Sequence, residues 1–182
     1  MRDISQMEVV SIRFPRTTCL EPQLMDAVDR LGDASAKAQR LNVPVTNFGK
    51  LSKATDVTVV YLIRKEKRYV GLLKISRKLL YFHDGESVMK FSPICVLDFY
   101  VHDKREGLGT ALFEAMLIDQ NVDCSEIAFD RPSPSMISFL TKRMGIRNLC
   151  MQGNKFSISA EFFASQKTLS EFQQCNERIL RI

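Results

Sequence analysis

The sequence predicts an α/β domain: one mixed sheet flanked by helices. Three observations point there. The 182 residues, 45% apolar and 26% charged, are enough for one ordinary globular domain with a real core. Helix-spaced and strand-like segments follow one another in a β/α, hairpin, β-α-β-α-β order. The segment "PICVLDFYV" (93–101) is nearly all apolar, as a strand covered on both faces should be.

Residues 8–14 ("EVVSIRF") alternate weakly and form a first strand. From Glu21 to Leu41 apolar residues recur at Leu24, Val28, Leu31, Ala38 and Leu41, a helical spacing. Gly32-Asp33 should break that segment into two short helices. "NVPVTNFGKLS" is a loop by its Asn, Pro, Gly and Ser content. "VTVVYLIR" then reads as a strand, "KEKR" as a turn, and "YVGLLKISRKLLYF" as one long partner strand with a bulge. His83-Asp84-Gly85 makes a turn before the apolar strand 93–101. A helix after Gly109 carries Leu112, Met116 and Leu117 on one face. "EIAFD" (126–130) is a strand, parallel to the preceding one if that helix is a crossover. Ser133 or Ser135 caps a helix running to about Arg143, with Ile137, Phe139 and Leu140 available for burial. "KFSISAEFF" (155–163) is a last strand. One domain is expected over residues 1–167, with 168–182 a helical or loosely ordered tail.

Several function classes drop out. No apolar stretch is long enough for a membrane span. Asp3 and Glu8 stand where a secretory leader needs a basic start and an apolar run. Cys19, Cys95, Cys124, Cys150 and Cys175 are odd in number and lack CxxC spacing, so neither a disulfide framework nor a zinc site is expected, and the compartment should be reducing. His83 and His102 have no second histidine one helical turn away, so no metal is expected. The net charge of +5 suits a nucleotide-like ligand, an acidic protein or nucleic acid alike. The clusters 64–68 ("RKEKR"), 74–78 ("KISRK") and Lys142–Arg147 read as solvated turns and faces, and no nucleic-acid module accompanies them.

The segment "VLDFYVHDKREGLGTALFEAML" (96–117) carries the chemistry. A strand, a charged turn, Gly107-Leu108-Gly109 and a helix either simply make a tight strand-to-helix turn or offer an anion the free N–H groups at the helix start. A dinucleotide fold fits poorly. Leu112 replaces the third glycine, the turn comes late in the chain, and too little follows Asp130 for a doubly wound sheet. A Walker loop fails because no Lys-Ser or Lys-Thr follows the second glycine.

The alternative is coenzyme A. "KREGLG" (104–109) resembles the Gln/Arg-x-x-Gly-x-Gly/Ala motif of the Gcn5-related N-acetyltransferases (GNAT), with Lys104 in the place of Gln or Arg. "LGDASAKAQRL" (31–41), "PICVLDFYVH" (93–102), "IAFDRPS" (127–133) and "FFASQ" (162–166) resemble signature stretches of the α-tubulin N-acetyltransferases. The resemblance covers about residues 8–167. It implies a GNAT fold, acetyl-CoA as cosubstrate, and transfer to the luminal-loop lysine of α-tubulin within microtubules by direct attack of the amine on the thioester. It also implies a monomer in the cytoplasm, at the cytoskeleton, with neither nucleic acid nor membrane as a partner. A binding module with little catalysis, or a GNAT acting on another amine, are the alternatives.

A free lysine has a pKa of about 10.4 and a free aspartate about 3.9, so unaided proton transfer between them is uphill by about 9 kcal/mol. A useful acid must be desolvated or the lysine pKa lowered. The resemblance gives catalytic roles to Asp130, Cys95 and Gln39. Asp130 ends a buried strand, where desolvation is expected; the alternative is a helix cap or a surface acid paired with Arg131, and Cys95 alone reads as a small buried side chain. Gln39 lacks acid–base chemistry and suits substrate positioning. Asp98, assigned to the strand face opposite Cys95, is left without a role. For the cofactor, the resemblance implies Phe99, Tyr100, Val101 and His102 along the strand, and Lys104, Arg105, Glu106, Gly107, Leu108, Gly109 and Thr110 around the pyrophosphate. It adds Ser133, Ser135, Ser138, Phe139 and Lys142 on the following helix.

Overall fold

The computed structural model describes residues 7–15, 19–83, 88–102 and 106–162, so the proposed tail, Lys104 and Arg105, Cys175 and the Asp84-Gly85 turn lie outside the described residues. The described residues form two compact units: those up to Lys78 with those of Ile94–Val122, and those of Leu79–Pro93 with those from Asp123 on.

The first unit holds a four-stranded antiparallel sheet in the order β1 (Met7–Phe14), β2 (Thr58–Lys65), β3 (Arg68–Arg77), β6 (Ile94–Val101). Alternation sends Ile12, Phe14, Val60, Leu62 and Leu72 to one face, where helix α1 (Pro22–Gln39) covers them with Ala27, Val28 and Leu31. The other face receives helix α3 (Leu108–Gln120), whose Phe113 meets Phe99 edge-on at 5.9 Å.

The break expected at Gly32-Asp33 does not occur, since α1 is one helix of 18 residues. Gly32 is there for contact: a Cβ on it would lie 1.8 Å from the Thr46 carbonyl oxygen. A helical glycine costs about 1 kcal/mol against alanine, far less than a backbone collision. The 42–52 loop contains a single helical turn, α2 (Phe48–Leu51), capped by Asn47 Oδ1 accepting from Lys50 N at 2.8 Å. Asp29 on α1 accepts from Phe48 N and ties that turn to the helix.

The predicted bulge exists. Ile63 pairs with Gly71 and Arg64 with Tyr69, so Val70 is the extra residue. The long partner strand, however, ends at Arg77, and Leu80–His83 (β4) pairs with an unforeseen strand, β5 (Val88–Phe91). Its reason is packing within the second unit, where Phe82 is fully buried against Phe91 and Phe162, with ring centroids 6.3 and 6.2 Å away.

That second unit also contains a 3₁₀ turn (Cys124–Glu126), β7 (Ala128–Asp130), α4 (Pro134–Arg143), β8 (Leu149–Met151) and β9 (Phe156–Ser159), with β9 antiparallel to both β7 and β8. Sequence reading did not foresee β8. Ser133 caps α4 as expected, accepting from Met136 N at 3.2 Å. Leu140 is buried and Ile137 is exposed, so α4 turns a narrower apolar face inward than expected.

Candidate active site

β6 delivers the chain to the glycine turn. Its first three residues are buried, but Leu97 and Phe99–Val101 are only half-buried. Covering on both faces therefore stops where the strand approaches the turn, which leaves backbone within reach of a ligand. His102 N donates to Val70 O at 2.8 Å, holding the end of the strand against β3.

Helix α3 starts at Leu108, not after Gly109, and Gly107 is its N-cap with φ +85°. An L-residue resists that conformation, and a Cβ there would meet open space. Gly109 lies inside the first turn. Gly107 has no side chain to cap this helix end, and no acid stands in the first turn of α3. Leu108 is buried as the anchor, while Gly109 and Thr110 are half-buried. A positive helix end with an open, Cβ-free approach fits a phosphate group. Glu106 just upstream has the wrong charge for that role, and it forms an ion pair with Lys65 at 2.6 Å.

The densest chemistry in this unit surrounds Asp98, which is 4% exposed. Lys74 pairs with Asp98, Ile75 with Val96 and Ser76 with Cys95, so Leu97 is an extra residue in β6. The bulge corrects the expected alternation. Lys74 and Ser76 share a face of β3, and their partners Asp98 and Cys95 therefore share a face of β6. That face meets α1. Asp98 Oδ1 accepts from Ser35 Oγ at 2.6 Å and from Gln39 Nε2 at 3.3 Å, and Oδ2 accepts from Thr46 Oγ1 at 2.6 Å. Gln39 Nε2 also donates to Ser35 Oγ at 2.9 Å. Lys74 Nζ donates to Val45 O at 3.2 Å. Burial holds the Lys74 amine below its ordinary pKa, with the Asp98 charge opposing and the Lys50 and Lys78 charges reinforcing the shift.

The sequence reading named Gln39, Cys95 and Asp98 but not Ser35, Thr46 or Lys74, which the fold brings to Asp98. A signal was present: Gly32, Ser35 and Gln39 are three and four residues apart, a small-and-polar stripe on an otherwise apolar helix face.

In the second unit, Asp130 ends β7 and both its oxygens accept from Arg131, at 2.9 Å from Nε and 3.2 Å from Nη2. Its side chain is 20% exposed against 68% for Arg131. Arg131 has φ +42°. Ser135, Ser138 and Lys142 are exposed on α4 and Phe139 is half-buried, while Ser133 is engaged as the cap. The predicted residues therefore fall into two sets. Gln39, Cys95, Phe99–His102 and Glu106–Thr110 belong to the first unit, and Asp130, Ser133, Ser135, Ser138, Phe139 and Lys142 to the second. Among the described residues no group of three His, Cys, Asp or Glu could hold a metal ion.

The family model described as "GNAT acetyltransferase, Mec-17" matches residues 3–180. An alpha-tubulin N-acetyltransferase of Anopheles gambiae is 42% identical over 79% of this chain and 31% of its own length. Alpha-tubulin N-acetyltransferase 1 of Danio rerio is 38% identical over 81% of this chain and 52% of its own. The Tetrahymena thermophila protein of the same name is 35% identical over 87% of this chain and 40% of its own. The chain spans less than two thirds of the length of each of these relatives. With a match that runs over nearly every residue, the chain belongs to the Mec-17 family of GNAT acetyltransferases.

Proposed function

We propose that this chain is a lysine N-acetyltransferase that moves acetyl from acetyl-CoA to the luminal-loop lysine of α-tubulin in microtubules. It acts as a monomeric acetyltransferase domain over residues 1–167, in the cytoplasm on the microtubule cytoskeleton. The observation that carries this reading is the likeness, over most of the chain, to relatives named for that activity. The open, positive-φ start of α3 supports it as a phosphate seat. Acetyl-CoA supplies the thioester carbon that the lysine amine attacks.

Gly107 to Thr110 hold the pyrophosphate through backbone N–H groups and the Thr110 hydroxyl, with Lys104 and Arg105 adding charge and Glu106 tied back by Lys65. Phe99 to His102 line the pantetheine arm, while Ser133, Ser135, Ser138, Phe139 and Lys142 hold the rest of the cofactor. Gln39 positions the substrate lysine. Asp130 holds the attacking amine or takes its proton, and an incoming amine must compete with Arg131 for the carboxylate lone pairs. Cys95 assists as second base or orienting group.

Incubation with acetyl-CoA and polymerised tubulin, followed by mapping of acetylated lysines, tests the assignment. The expected product is α-tubulin acetylated at one lysine of its luminal loop. Equal acetylation of unrelated proteins would remove the substrate assignment, and no acetyl transfer to any amine would remove the enzyme.

A further inference from the structure

Asp98 is the one charged residue in an apolar strand, and it accepts hydrogen bonds from three side chains. Both oxygens accept, from Ser35 Oγ and from Thr46 Oγ1, each at 2.6 Å. The Ser35 hydroxyl has a single proton and gives it to Asp98, so toward Gln39 it can only accept. Asp98 Oδ1, which already accepts the Ser35 proton, likewise offers Gln39 a lone pair. Both neighbours of the Gln39 amide are therefore acceptors, and its NH₂ must face them, at 2.9 and 3.3 Å. An amide whose orientation is otherwise ambiguous thus has one permitted orientation. Its Oε1 turns away from Asp98, on a residue that is itself exposed. Ser35 and Thr46 are buried, at 1% and 0% exposure. At its base, Thr46 sits where Gly32 leaves room for its carbonyl.

We propose that Asp98 is a positioning residue for the reaction proposed above: through Ser35 it fixes the polarity of Gln39, so that the group offered to the lysine-bearing segment is a hydrogen-bond acceptor for an N–H donor. This rests on the acetyltransferase reading only for the identity of the substrate, since the polarity follows from the hydrogen bonds alone. Asp98 acts through another side chain and takes no part in the bond changes. Hydrogen-bonded chains of this kind are apportioned only by paired substitutions.

The test has two arms. In the first, Asp98→Asn replaces one acceptor oxygen by a donor and releases the lock on Gln39. Loss of one oriented hydrogen bond predicts about a tenfold fall in kcat/KM for tubulin, with acetyl-CoA affinity held within about twofold of the parent. Added to Gln39→Ala, the same substitution should cost less than about twofold more, because its route is already gone. Losses that multiply, or an equal loss of acetyl-CoA affinity, overturn the proposal. Ser35→Ala removes only the relay oxygen and should reproduce the tubulin-specific loss if Asp98→Asn fails to fold.

The second arm needs no substrate. The Gln39 side-chain amide protons, followed by NMR, should exchange slowly and show separated shifts in the parent, and should move toward free-amide behaviour in Asp98→Asn and Ser35→Ala. An amide signal unchanged in either variant overturns the positioning role. A parent that fails to acetylate tubulin but shows the amide change sinks the substrate assignment and leaves Asp98 as the residue that orients Gln39.

Discussion

Asp98 and Asp130 are two carboxylates in opposite surroundings. Asp98 is enclosed by hydroxyl donors, so it shapes the protein around it. Asp130 is clasped from the solvent side by Arg131, whose guanidinium its hydrogen bond and charge hold above the ordinary pKa. An exposed pair of this kind adds little stability. Asp130→Asn should therefore leave the melting temperature and acetyl-CoA affinity near those of the parent while turnover falls by roughly 10²-fold or more, the usual scale for an acid–base group. Full turnover in that variant would make the aspartate a structural partner of Arg131 and nothing more. Lys74 gives a second prediction, with the sign set by its lowered pKa. Below the folded-state value both states are charged and the burial penalty is fully present. Between that value and the unfolded one, near 10.4, unfolding takes up a proton and stability rises with pH. Lys74→Met should consequently be more stable than the parent at neutral pH in urea titrations. The gap should shrink as pH climbs toward the unfolded-state value, and a gap that widened would contradict the burial account.

At the scale of elements, two glycines make opposite predictions. Gly32 has an ordinary helical backbone but no space, because a Cβ would lie 1.8 Å from backbone oxygen. Gly107 has space but a backbone at φ +85°. Gly32→Ala should destabilise by several kcal/mol, in the range of severe overpacking, about 3 kcal/mol or more, and should disturb Thr46 and hence the Asp98 cluster. Gly107→Ala should cost only about 1–2 kcal/mol of backbone strain yet weaken acetyl-CoA binding, read by calorimetry, because the strained turn realigns the N–H groups of α3. The same pair shows what was legible. Gly107 was readable as a turn residue from its place between an apolar strand and an amphipathic segment. Gly32 was misread as a breaker, because its reason is a contact with a loop 14 positions on (46 − 32 = 14), which no local pattern carries. The three-residue β8 escaped for a related reason: two half-buried residues and an exposed one have no period to detect. The bulge at Leu97 escaped too, and with it the shared face of Cys95 and Asp98, since strict alternation is the only register a single strand displays.

For the molecule as a whole, the α/β class and the order of the longer elements followed from periodicity, whereas the division into two compact units did not, because it depends on which distant segments pack together. β4 and β5 are the clearest case, contiguous with the first unit in sequence but built into the second. Net charge is a whole-molecule property that the sequence states outright, at +5, and it leads to a last prediction. The ion pairs Arg64–Glu8, Lys65–Glu106 and Lys78–Asp56 all lie on partly exposed side chains, so each contributes about 0–1 kcal/mol and salt should shift the melting temperature little. Encounter with the proposed microtubule substrate, if it is acidic, is different. A basic surface raises the association rate at low ionic strength, and the gain fades as the Debye length falls from ~10 Å at 0.1 M to ~3 Å at 1 M. The KM for microtubules should therefore rise severalfold across that range at nearly constant kcat. Lys67 and Arg68, exposed where β2 turns into β3, are the residues to vary. Lys67→Glu with Arg68→Glu should raise KM at low salt and match the parent at high salt, with thermal stability unchanged. A salt-independent KM in the parent would mean that contacts of shape and hydrogen bonding, not the basic surface, bring the substrate in; a variant defect that persisted undiminished at 1 M salt would mean that those two side chains make specific contacts and do not act through the field.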